Sequence, residues 1–281
     1  MLLPCLAVLA ALSAPPAIIV TIHGSIEASL AKTVGEDAPA LGNQGARLLR
    51  WRGDIVRNVQ PGDKLRLLFE RDPEPELVAM IYEGAEINLK AYRFKDADGI
   101  ERFFDETGSL IEPRLLHPPV DGYVQITEVV QSGRGKRKHK GLDIKAPEGA
   151  SVVLPFDGVV ARVNWGSMRV NGRCVEVLYA NGTVGRFLHL SVVEPVAVPG
   201  AKLVAGTRLG SVGSTGHSVA PHLHYEIRNQ AGDALDPLKE HGTERAAVSA
   251  GQKTAFDAVR LDLDRQLGAV TSPGDLSATA Q

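Results

Sequence analysis

The sequence predicts a mainly β C-terminal domain preceded by a small α+β N-terminal domain. Three observations lead there. Glycine (29) and proline (17) are plentiful while aromatics make up only 5% of the chain, a balance that suits short strands and many turns. From Tyr123 to about Pro237 nearly every segment is rich in β-branched residues and bounded by turn residues. Before that, a helix-spaced stretch gives way to alternating strands. The expected form of the β-rich domain is an antiparallel β sandwich or open barrel. The expected division is an apolar leader or signal peptide over 1–22, the α+β domain over 23–119, the β-rich domain over 120–240, and a helix with a disordered tail over 241–281.

The first residues, "MLLPCLAVLAALSAPPAIIV", form an apolar run without a basic start, bounded by Pro15-Pro16. A signal peptide is the preferred reading over a short anchor or a buried strand. Residues 24–50 carry apolar residues at helical spacing, with Ser25 as N-cap. "VQPGDKLRLLFE" turns at Pro61-Gly62-Asp63 and then alternates as a strand. "LVAMIYE", "EINLKAYRF" and "ERFFDETGS" follow as further strands. In the β-rich region "YANGT" reads as a hairpin turn, because Asn-Gly accepts positive φ angles. Near the end, "KTAFDAVRLDLDRQL" places Phe256, Val259, Leu263 and Leu267 on one side of a helix.

A net charge of −2 gives no field for nucleic acid or for an anionic membrane. Beyond the leader no run approaches the ~18–20 apolar residues that span a bilayer. Cys5 and Cys174 make neither a disulfide framework nor a CxxC zinc motif, so a metal site must use histidine and carboxylate. Cys174 reads as a small buried hydrophobe.

Three segments carry such residues. In "SVAPHLHYEIR", His222 and His224 are two apart, so in a strand they share a face. In "HKGLDI", Gly141 argues against a helix, and an extended chain again puts His139 and Asp143 on one side. In "RFLHLS", strand parity places His189 on the side of Phe187, opposite Leu188 and Leu190. Singly, each has an ordinary reading as a surface or core residue. Together they supply a catalytic zinc site, which uses three protein ligands and leaves a fourth position open. His139, Asp143 and one of His222 or His224 would ligate, and the other histidines would stay free for proton transfer. Glu226 shares their parity, as an outer carboxylate in preference to a base. His217 reads as an exposed loop residue; His23, His117 and His241 as structural or surface; Trp51 and Trp165 as packing residues. The basic run Gly133 to Gly141 reads as a solvated loop, with contact to an anionic polymer as a secondary role.

"HKGLD", "FLHLS" and "GSTGHSVAPHLHYEIR", in that order, resemble the motifs of the lysostaphin-type, LytM-like zinc metallopeptidases that cut peptide bonds in bacterial peptidoglycan. "APEGASVVLPFDGVV" and "VPGAKLVAGTRLGSVG" resemble segments between those motifs. The likeness runs from about Lys138 to Pro237. The preceding domain is similar, more loosely, to one found in larger Gram-negative members. The resemblance implies Zn2+ held by His139, Asp143 and His224, with His189 and His222 as non-ligand catalytic histidines. It implies peptidoglycan peptide stems as substrate, and an exported, periplasmic or cell-envelope location. Phe187-Leu188 departs from the family's Tyr-Ala. The runner-up function is a non-catalytic wall-binding or amidase-activating regulator of the same fold, against which the full ligand set speaks. A biotinyl-type carrier domain is set aside, because no lysine sits at a hairpin tip in "GAKLVAGTRLGSVGS".

Overall fold

A computed structural model describes residues 17–130, 138–166 and 170–268. The leader over 1–16, the basic run over 133–137 and the tail from 269 lie outside the described residues. The chain divides into two compact units, Met1–Arg93 with Asp257–Gln281, and Phe94–Phe256.

In the first unit, β1 (Ala17–Thr21) is followed by α1 (Ile26–Val34), α2 (Ala38–Leu49), the short α3 (Ile55–Asn58), then β2 (Lys64–Arg71), β3 (Pro75–Glu83) and β4 (Asn88–Lys95). The end of the apolar leader is therefore part of the fold: β1 runs antiparallel to β2, with Ala17 opposite Leu68. Ser25 caps α1 by accepting the Ala28 N–H at 3.1 Å. The helices α1 and α2 approach closely at Gly42, where a Cβ would lie 2.9 Å from Glu27 Cα. Leu30, Leu41, Leu49, Leu65, Leu67 and Met80 form the buried interior. The strands β2, β3 and β4 follow one another as antiparallel neighbours.

The second unit holds β5 (Glu101–Phe104), β6 (Arg114–Leu115), β7 (Gln125–Glu128), β8 (Leu142–Lys145), β9 (Ser151–Val153), β10 (Gly158–Asn164), β11 (Arg173–Tyr179) and β12 (Val184–Leu190). It continues through β13 (Val192–Val193), β14 (Lys202–Leu203), β15 (Arg208–Ser211), β16 (His222–Arg228), β17 (Ala234–Leu235), α4 (Pro237–His241) and β18 (Thr243–Glu244). An eight-stranded sheet has the order β14-β10-β11-β12-β16-β8-β7, with β17 on β16, and β13-β15-β9 make a three-stranded sheet. The architecture is the mainly β one expected. In "YANGT" only Gly182 takes a positive φ (81°), and Asn181 instead accepts the Thr183 N–H at 3.0 Å. The turn is longer than a two-residue hairpin for that reason.

The last helix, α5 (Lys253–Gly268), buries Phe256, Leu263 and Leu267 but leaves Val259 38% exposed. In the second unit Phe256 stacks edge-on with Phe94 and Phe104. In the first, Tyr92 Oη donates to Asp264 at 2.6 Å. No helix among the described residues is long and apolar enough to cross a membrane.

Candidate active site

The strand β16 is central to the large sheet, between β12 and β8. Its alternation is strict. Leu223, Tyr225 and Ile227 are buried on one face, each at 2% exposure or less, and each fully buried side chain stabilises the strand by about 1.5–3 kcal/mol. His222, His224 and Glu226 therefore share the other face. Residues directly opposite on neighbouring strands also share a face. Asp143 on β8 is opposite His224, and Leu188 on β12 is opposite His224 on the other side.

Asp143 Oδ1 lies 2.7 Å from His224 Nδ1 and 3.1 Å from His139 Nε2, and the two imidazole nitrogens are 3.1 Å apart. His139 reaches them because the chain before β8 presses against β16. At Gly141 a Cβ would sit 2.3 Å from the Tyr225 carbonyl oxygen, so only glycine fits there.

The hydrogen bonds on the far sides of both rings decide what the converging atoms are. His139 Nδ1–H donates to the Val129 carbonyl at 3.3 Å, and His224 Nε2–H donates to Glu226 Oε1 at 3.0 Å. In neutral rings this leaves His139 Nε2 and His224 Nδ1 as acceptors, facing a carboxylate oxygen. With both rings in these neutral tautomers the three converging atoms are all acceptors, the donor set a cation needs; without a cation, a proton on either ring bridges it to Asp143. The contacts of 2.7–3.1 Å are a little tighter than the roughly 3.3–3.6 Å between tetrahedral zinc ligands at 2.0–2.2 Å, so a small opening of the cluster would admit the ion. Burial works against ionisation of Asp143, but hydrogen bonds from His139 and His224 outweigh it and hold the carboxyl well below its usual range. Burial also disfavours charge on His224, yet its bonds to Asp143 and Glu226 raise its pKa to about 9 in the metal-free protein.

His222 Nδ1–H donates to the Ala220 carbonyl at 2.8 Å, with Ser218 Oγ at 3.3 Å. Its Nε2 faces the cluster, 3.6 Å from Asp143 Oδ1. His189 reaches the same place by a route that alternation does not give. The pairing of β11 with β12 skips a residue between Val175↔Phe187 and Arg173↔Leu190. His189 sits in that bulge with φ 65°, the only non-glycine residue at positive φ among those described. The bulge turns its ring away from the Phe187 side and toward the site. Its centroid lies 5.0 Å from that of His222 and 5.9 Å from that of His224. Phe187 packs on Tyr225 at 5.0 Å, on the opposite face of the sheet. The parity expectation for His189 is thus corrected, and Phe187 faces away from the histidines.

Thr215 fixes His189. Its carbonyl accepts from His189 Nδ1–H at 2.8 Å, its hydroxyl donates to the Leu190 carbonyl at 2.8 Å, and the Arg173 N–H donates back at 3.0 Å. Burial lowers the pKa of His189; the Thr215 carbonyl opposes that, and the neighbouring histidines reinforce it. Nothing in a pattern of alternating residues singles out Thr215. The only sequence signal is its place in the Gly-rich "GSTG" turn.

Glu226 is 4% exposed. Besides His224 it accepts from Arg186 at 2.6 Å and from Arg228 at 2.8 Å. Burial would raise its pKa, but these bonds bring it down to about 2, so it stays ionised and fully engaged. His217 is exposed in its loop. Trp165, expected to pack, is 52% exposed. His241 is buried: its Nδ1–H donates to the His117 carbonyl at 2.6 Å, and its Nε2 is 3.0 Å from Tyr225 Oη, which in turn is 3.2 Å from Tyr179 Oη. Cys174 is free and buried, as expected.

Residues 137–237 match the model of Peptidase family M23. Over 240 residues the chain is 27% identical to the peptidoglycan DD-endopeptidase ShyA of Vibrio cholerae serotype O1, covering 80% of this chain and 53% of that protein. Over 129 residues it is 36% identical to the DD-carboxypeptidase/endopeptidase Mpg of Neisseria meningitidis serogroup B, covering 44% and 29%. A solved zinc-containing peptidase from Vibrio cholerae is 25% identical, with 79% and 70% covered and a TM-score of 0.39. The chain spans about half the length of the ShyA-type relatives it matches. The segment that matches the family M23 model, 137–237, holds His139, Asp143, His189, His222 and His224.

Proposed function

We propose that the protein is a zinc-dependent endopeptidase that hydrolyses peptide cross-links of bacterial peptidoglycan. The observation that carries this reading is the meeting, within 4.8 Å of one another, of one possible ligand atom each from His139, Asp143 and His224, beside two further histidines that are not needed to hold a metal. His139 Nε2, Asp143 Oδ1 and His224 Nδ1 would hold the ion. When bound, it supplies Lewis acidity, polarising a peptide carbonyl and making water a stronger acid.

The chain's own residues do the rest. In the neutral form His189 and His222 each commit Nδ1–H to a backbone carbonyl, which leaves Nε2 as a proton acceptor on the site face. One Nε2 takes a proton as the water oxygen bonds to the amide carbon. The other histidine, when protonated, donates to the developing oxyanion. As the C–N bond breaks, the proton passes to the leaving amine, so one water is consumed per amide. Val129, Ala220, Thr215 and Glu226 fix all four rings, so little reorganisation remains for the reaction itself.

The relatives named as DD-endopeptidases support D,D cross-links of peptide stems as the bond cleaved. They also support an exported, periplasmic or envelope location, and we propose 120–240, around the matched 137–237, as the catalytic domain. Incubating the full chain with purified peptidoglycan and resolving the muropeptides by mass spectrometry tests this. Conversion of cross-linked dimers to monomers, lost on His139→Ala, is expected. Zinc binding without any turnover would instead fit a non-catalytic regulator.

A further inference from the structure

On the site face, four charged residues stand in one row across four adjacent strands. Arg162 on β10 is opposite Glu176 on β11, Glu176 is opposite Arg186 on β12, and Arg186 is opposite Glu226 on β16. The contacts follow the register. Arg162 donates to Glu176 at 2.7 Å, Arg186 to Glu176 at 3.0 Å, and Arg186 to Glu226 at 2.6 Å. Arg228 adds bonds to the same Glu226 oxygen at 2.8 and 2.7 Å. That oxygen, Oε2, is thus reserved for arginines. The other, Oε1, is left for one partner only, the Nε2–H of His224.

We infer that Glu226 is a positioning residue: the arginine-anchored carboxylate fixes the tautomer and orientation of His224, so that Nδ1 and not Nε2 faces His139 and Asp143. The inference rests on the reading of those three residues as metal ligands. The physical reason lies in the acceptor count. A carboxylate has two acceptor oxygens, one for the arginines and one for the imidazole N–H. An amide in its place has one oxygen and one NH2. The two arginines draw the oxygen, and the NH2 then faces His224 Nε2 as a donor. The ring must switch tautomer, placing a hydrogen on Nδ1 where an acceptor is needed. Glu226→Gln is therefore as disruptive as Glu226→Ala, although it is nearly isosteric. Glu176 anchors the same arginine and does not touch His224, so Glu176→Gln separates the ladder's structural role from the positioning role.

The test is zinc affinity of the full chain, by competition with a chromophoric chelator, for wild type, Glu226→Gln, Glu226→Ala and Glu176→Gln. Glu226→Gln and Glu226→Ala should bind about 10–100-fold more weakly, the range for partners that orient a metal ligand, while Glu176→Gln stays within about threefold of wild type. Glu226→Gln within about threefold of wild type overturns the inference, as does an equal loss in Glu176→Gln. A second measurement needs no variant: 15N shifts of the zinc-loaded wild type should show His224 protonated at Nε2 and coordinated through Nδ1. Coordination through Nε2 overturns the inference and leaves the metal site standing. No zinc binding by wild type overturns both.

Discussion

Asp143 and His224 lie directly opposite each other on adjacent antiparallel strands, and Asp143 Oδ1 is 2.7 Å from His224 Nδ1. The pair is thus built by strand register, and loop geometry has little part in it. His139 is the third member only because Gly141 lets the preceding chain press onto β16.

The ligand residues should be separable from the free histidines. Asp143→Ala and His139→Ala are expected to lose bound zinc, with affinity lower by more than about 100-fold. His189→Ala and His222→Ala should keep zinc and lose turnover by about 10²–10⁴. Metal content by mass spectrometry, paired with muropeptide release, distinguishes the two classes. Retention of zinc in Asp143→Ala, or its loss in His222→Ala, would contradict the assignment.

Chelation should act as a reversible switch. Treatment with a strong chelator is expected to abolish muropeptide release, and added Zn2+ to restore it. Activity that survives chelation would remove the metal from the reaction.

Gly141→Ala should damage the site from a position that touches no ligand atom. The new Cβ would lie 2.3 Å from the Tyr225 carbonyl oxygen, so either β16 or the segment carrying His139 must move. Overpacking of this kind costs about 1–3 kcal/mol. Denaturant melts should report that loss, accompanied by weaker zinc binding. An unchanged variant would show that the close approach is unimportant.

How far was this legible from residues alone? Strand parity places His222, His224 and Glu226 on one face, and the burial of Leu223, Tyr225 and Ile227 on the other is what makes the parity reliable. The mainly β character of the second unit and the Ser25 cap follow from composition and local chemistry. His189 is different. Its side is set by a β-bulge and a positive φ, neither of which leaves a mark in an alternating pattern. The Arg162–Glu176–Arg186–Glu226 row was equally hidden, because it depends on which strands pair and in what register. The same holds for His241, whose burial comes from its packing beside Tyr225 and His117.

His241 gives a pH prediction. Burial lowers its pKa from 6.5 to about 4, only partly opposed by the His117 carbonyl. The unfolded chain takes up this proton near pH 6.5 and the folded chain not until about 4. Between those values the unfolded state binds more protons, so stability is full above about pH 6.5 and falls as the pH drops toward 4. The loss attributable to this one group is about 2–3 kcal/mol between pH 7.5 and 4.5. Urea melts across that range should show a shallower decline in His241→Gln than in wild type. Parallel declines would mean that His241 is not held neutral by the fold.

The central claim is that His139 Nε2, Asp143 and His224 Nδ1 hold one metal ion and that His189 and His222 do not. Anomalous diffraction at the zinc edge from crystals of the zinc-loaded protein tests it most directly. The account predicts a single strong peak about 2.0–2.2 Å from those three ligands, with the Nε2 atoms of His189 and His222 both outside bonding distance. A peak bonded to His222 in place of His224, or no peak among these residues, would contradict it.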